Sequence, residues 1–142
     1  MNIPRYELNE WLDELKPYQR NIVKNLVEKY GIEEAIDKWM IANGPESTVK
    51  FGGESNNTNE KFSEKFKCEV NKFICGHPSY DKYRDEYSKI SDSSKTIAIS
   101  SISSLIGSQL GVSATVLVPA VVLTLYLVGI MGKNAYCSGI TF

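Results

Sequence analysis

Charge is missing from the last third of this chain. Of its 16 Lys/Arg and 17 Asp/Glu residues, all but Lys133 lie before Thr96, and Thr96 through Gly132 contains none. Water-facing protein surface normally carries Lys, Glu, Arg and Asp, so this stretch is no ordinary solvated face. Histidine is nearly absent too, with His77 the single one. A serine nucleophile would depend on that one base, and no serine elbow motif is present. No carboxylate sits in an apolar run that would push its pKa up. No catalytic residue stands out, and the chain is not expected to be an enzyme.

Cysteine is also scarce: Cys68, Cys75 and Cys137 are the only three. An odd count without other marks of secretion predicts reduced thiols rather than a disulfide framework. Cys68 and Cys75 fall on one expected helix, on the same side but about 10 Å apart, beyond disulfide reach. With His77 they read C-x6-C-x-H, whereas structural zinc pairs are spaced roughly two to four residues apart. Buried, inert thiols are therefore expected, with no metal and no cofactor. His77 follows a helix end, where a local hydrogen bond or a dipole contact is its expected role. The net charge of −1 gives no global attraction to nucleic acid or anionic lipid. The opening MNIPRYELNEWLDEL lacks a basic segment followed by an apolar run, so no cleaved signal peptide is expected.

What the uncharged stretch does contain is apolar. Ser113 to Gly132 reads SATVLVPAVVLTLYLVGIMG. As a helix it spans roughly 30 Å, the thickness of a bilayer's hydrocarbon core. A helix apolar on every side lies either in lipid or at the centre of a protein. The membrane is the leading expectation, because a chain this short has little material to wrap such a helix. The preceding segment, Ile97 to Val112, differs. Ile99, Ile102, Leu105, Ile106 and Leu110 form a stripe at helical spacing. Ser100, Ser104, Ser108 and Gly111 fall on another face, with Gly107 beside them. Small residues at this spacing let helices pack closely, or offer hydroxyls to a wet pore. At about 24 Å this helix is short for a span.

Gly111 suits a left-handed helix end, and Ser113 can cap the next helix. The expected arrangement is a hairpin, the rival one long bent helix. Pro119 frees the carbonyl of Thr115, which a nearby hydroxyl such as that of Thr115 would help satisfy. Lys89, Lys95 and Lys133 flank the segment and the joint carries no charge. That predicts an inner-membrane hairpin with the N-terminal domain and C-terminus cytoplasmic.

Residues 1–92 read as a helical cytosolic domain. The expected apolar faces are Leu8, Trp11, Leu12 and Leu15; Ile22, Val23, Leu26, Val27 and Tyr30; Ala35, Ile36, Trp39 and Met40; Phe62, Phe66, Val70, Phe73 and Ile74; and Tyr80, Tyr83, Tyr87 and Ile90. Residues 44–58 read as a loop. Its Gly52-Gly53 pair is too loosely patterned for a phosphate-binding loop. Lys61, Lys65 and Lys72 alternate with acids. In an oligomer they would bring a basic surface to an anionic ligand such as a nucleotide or oligonucleotide.

The fold expected is all-α, with about seven helices: a bundle over 1–92, a hydrophobic hairpin over 96–133 and a tail at 134–142. The run ISSISSLIGSQLGVSATVLVPAVVLTLYLVGIMGKNAYC, behind a small helical domain, resembles in architecture the membrane effectors of bacterial anti-phage defence. The resemblance implies a homo-oligomeric channel or pore gated by the cytosolic domain. The rivals are a membrane-anchored adaptor that recruits a cytosolic partner through the Tyr80–Tyr87 face, and a soluble all-α subunit that buries the hairpin in an oligomer.

Overall fold

A computed structural model describes residues 3, 5–43, 55–90 and 94–140. Among them there is no strand, and eight α-helices are present. The first, α1 (Leu8–Leu12), is shorter than the expected apolar face, yet Trp11, Leu12 and Leu15 are all buried. Helix α2 (Pro17–Tyr30) starts on its proline, which has no N–H to waste in a first turn, and stops at Gly31. Helix α3 (Ile32–Asn43) carries Glu33 and Glu34 in its first turn, where carboxylates favour the helix dipole.

Helix α4 (Ser55–Cys75) begins inside the segment expected to be a loop, so the helix starts at Ser55 and not at 59. Residues 44–54, with the Gly52-Gly53 pair, lie outside the described residues. A 3₁₀ turn (Pro78–Tyr80) leads into α5 (Asp81–Ile90). His77 closes that turn by accepting the backbone N–H of Ser79 on Nδ1 at 3.2 Å, the local bond its position suggested.

Two helices follow in the uncharged stretch. Helix α6 (Lys95–Leu110) is capped by Ser94, whose hydroxyl accepts the N–H of Ile97 at 3.1 Å. It ends at Gly111 in the left-handed conformation, φ 74°. Ser113 then caps α7 (Ala114–Met131) through the N–H of Thr115 at 3.3 Å. Residues 111–113 are not helical, so the stretch is a hairpin and not one bent helix. The expected tail contains a further helix, α8 (Lys133–Ser138).

The regions 1–92 and 96–133 share one hydrophobic core. Helix α7 packs most extensively on α6 and α3 and also touches α1, α2 and α8. The expected faces of α3 and α4 are buried in full. That of α2 is not: Val23 is buried but Ile22 is 45% exposed, and Gln19, at 3% exposure, points inward instead. Behind α4, the guanidinium of Arg84 fastens the helix end. It donates to the carbonyls of Lys72 (3.1 Å), Phe73 (3.0 Å) and His77 (2.6 Å) and also to Asp81.

Candidate functional site

Within the α6–α7 hairpin, α7 is the helix the rest of the bundle surrounds, while α6 keeps an open face. Pro119 through Leu125 are buried without interruption. On a helix of 3.6 residues per turn, seven consecutive buried positions leave no open side. The two ends are looser: Val116, Val118, Tyr126 and Leu127 are half-buried, and Ile130 and Met131 are exposed. In this conformation, protein encloses the middle of α7 and leaves its termini partly uncovered.

The proline sets the chemistry of the enclosure. Pro119 has no N–H, so the Thr115 carbonyl loses its usual helical partner. A side chain from another helix takes that place, not a neighbouring hydroxyl: Gln19 Nε2 of α2 donates to Thr115 O at 3.4 Å. One residue on, Trp39 Nε1 of α3 donates to Val116 O at 2.8 Å. Gln19, at 3% exposure, turns inward to reach the Thr115 carbonyl. The two donors form a polar clamp from the amphipathic helices onto an otherwise apolar helix.

Gly107 explains how closely the hairpin closes. A Cβ there would stand 2.8 Å from the Val112 carbonyl oxygen and 3.4 Å from the Ala114 nitrogen, so α6 reaches the turn only because Gly107 has no side chain. The remaining small residues lie elsewhere: Ser100, Ser104, Ser108 and Gly111 are all exposed. They form an outward row and do not pack within the chain. Ser103, which the spacing did not single out, is the buried serine of α6. Its hydroxyl and Trp11 Nε1 have no hydrogen-bond partner among the described residues.

The cysteine expectation is overturned. Cys75 and Cys137 form a disulfide with Cα atoms 5.5 Å apart, and Cys68 is free and exposed, not buried. The bond joins the end of α4 to α8. Tyr136 of α8 supports it, donating its hydroxyl to Asn71 Oδ1 at 2.6 Å. Burial, with the Glu33 carboxylate adding, pushes the Tyr136 phenol up to about 12. Burial first, then the Glu69 carboxylate that accepts its hydrogen bond, holds the Tyr80 phenol well above its usual range.

The three expected anion-contacting lysines sit on one face of α4. Lys61 and Lys65 are exposed, while Lys72 is half-buried and 3.8 Å from Glu69. Lys67, not among them, pairs with Asp37 at 2.5 Å. A cavity of about 180 Å³ opens beside the clamp, lined by Glu14, Gln19, Thr96 and Thr115 among others. A second, of about 250 Å³, lies beneath α8. A third, of about 210 Å³, lies between Phe73, Tyr83, Tyr87 and Leu105. No group of three or more His, Cys, Asp or Glu residues placed to hold a metal occurs among the described residues.

No family model matches the chain, and neither a curated protein nor a solved structure matches it.

Proposed function

We propose that this chain is a membrane-active, pore- or channel-forming protein that stores its spanning hairpin inside a helical bundle. One observation carries the reading. Helix α7, Ala114–Met131, has the length and apolar composition of a membrane span, yet half of it is buried within its own chain. A helix apolar on every side suits a protein core or a bilayer. The enclosed middle of α7 fits both, but its uncovered end, with Ile130 and Met131 exposed, is apolar beyond what enclosure requires.

In this reading α1 to α5 shield the hairpin, and the Gln19 and Trp39 bonds hold it until it inserts. Inserted copies of α6 and α7 assemble, and Ser100, Ser104 and Ser108 turn from solvent to the wet interior. Hydroxyls at membrane depth face a partner helix or water, which fits the exposed row on α6. Lys61 and Lys65 offer exposed cations on α4 to an anionic ligand. The localisation is the inner membrane, reached from the soluble bundle.

A second reading has a specific observation in its favour. The unbroken burial from Pro119 to Leu125 is what the core helix of a permanently soluble subunit shows. Dye release from lipid vesicles separates the two. The membrane reading expects the purified protein to release an encapsulated dye and Ser104→Leu to change single-channel conductance. Recovery wholly in a detergent-free supernatant, with no dye released, would leave the soluble subunit.

A further inference from the structure

Helix α8 is held by little. None of its residues is buried. Tyr136 and Cys137 are half-buried against the core, and among the described residues one hydrogen bond, Tyr136 to Asn71, ties the helix to α4. Beyond its packing on α4 and α7, the covalent attachment across to α4 is the bond from Cys137 to Cys75. Behind α8 lies the cavity of about 250 Å³. Ile36, Val70, Thr124 and Leu127 form its inner wall, and Tyr136 and Ile140 close it from the α8 side. The chain turns from α7 into α8 at Gly132, where φ is 84°.

We infer that the Cys75–Cys137 bond is a thiol–disulfide exchange site that works as a latch, with dithiol reductants as its substrates. Both cysteines are only half-buried, so a reductant reaches them from solvent. Its thiolate attacks one sulfur, forms a mixed disulfide and expels the other as a thiolate, which takes up a proton. The reductant's second thiolate then displaces the remaining cysteine, which is protonated in turn. Two electrons pass to the protein, two thiols form, and the dithiol leaves as its own disulfide.

Cutting the bond removes the strongest of α8's attachments. The helix then pivots at Gly132, and the cavity and the last turns of α7 open. The 62-residue separation of the two cysteines encloses α5, α6 and α7. The intact bond therefore pins the far end of the hairpin to α4, and the reduced protein frees it. An oxidising compartment keeps the latch shut and a reducing one opens it.

The latch stands whether or not α7 crosses a membrane, because it is read in lipid-free buffer. The test is hydrogen exchange by mass spectrometry on the oxidised full-length protein, before and after dithiothreitol. Amides of Tyr136 to Ile140 are expected to exchange at least about tenfold faster after reduction, while those of α3, α4 and Ala120–Leu125 keep their rates. The Cys75→Ser, Cys137→Ser double variant must match the reduced protein without reductant. Tyr136→Phe, with its disulfide intact, must keep most of the α8 protection. Unchanged exchange in α8 overturns the latch. So does a loss of protection throughout the bundle, which would make the bond a global staple.

Discussion

Replacing Trp39 by Phe removes the donor that holds the Val116 carbonyl at 2.8 Å and keeps an aromatic ring at a site only 3% exposed. Losing the hydrogen bond costs about 1 kcal/mol net, and more if the carbonyl stays dry. The smaller ring leaves a void that adds on the order of 1 kcal/mol. The expected destabilisation is about 2 kcal/mol. With a urea dependence of about 2 kcal/mol per molar, the midpoint falls by about 1 M. If the clamp holds the stored hairpin, the same loss raises the opened population about thirtyfold, and dye release from vesicles accelerates. Phe73→Leu is the control: Phe73 packs edge-on to Tyr80 and Tyr87 at 6.0 and 5.8 Å, away from the clamp. It should lower stability without accelerating release. An unmoved urea midpoint in Trp39→Phe refutes the energetic account. Equal acceleration by both variants refutes the clamp as the point of control.

Gly107→Ala should destabilise by about 1–3 kcal/mol in urea titration, since its methyl meets backbone and not a yielding side chain. Arg84→Met leaves two carbonyls at the end of α4 and that of His77 in the following turn without their charged donor and should cost about 2–3 kcal/mol, read the same way. The Tyr136 phenol is raised from 10.0 to about 12 in the folded state. Its stabilising contribution is therefore complete below pH 10 and lost as pH rises towards 12, so Tyr136→Phe should flatten the alkaline unfolding profile between those values. Reversing Lys61, Lys65 and Lys72 to Glu should abolish any shift in melting temperature caused by an added oligonucleotide. A shift that persists removes the anionic-ligand role.

The helices that were legible in the sequence are those whose own periodicity fixes the buried face. Phe62, Phe66, Val70, Phe73 and Ile74 are buried as their spacing implies, because hydrophobic burial acts on a stripe whatever covers it. The α6–α7 joint was legible for a similar local reason: Gly111 ends one helix and Ser113 caps the next. Helix α2 was legible only in part: it runs from Pro17 to Gly31 with Val23, Leu26 and Val27 against the core, but Ile22 is exposed and Gln19 turns inward to the Thr115 carbonyl. Pro119 signals the missing donor, but only packing shows that Gln19 supplies it. The pairing of Cys75 with Cys137 was equally hidden, since spacing along one helix excludes a local bond and says nothing of a partner 62 residues on.

By itself the sequence determined that this protein is helical and that one helix is apolar on every side. Those properties follow from local propensity and composition, which each segment carries wherever it lies. Only the tertiary structure decided what surrounds that helix here. Coverage depends on which amphipathic faces meet it, which donors reach its broken hydrogen-bond ladder and which thiols are brought within bonding distance. All three are distances through space between segments far apart in the chain.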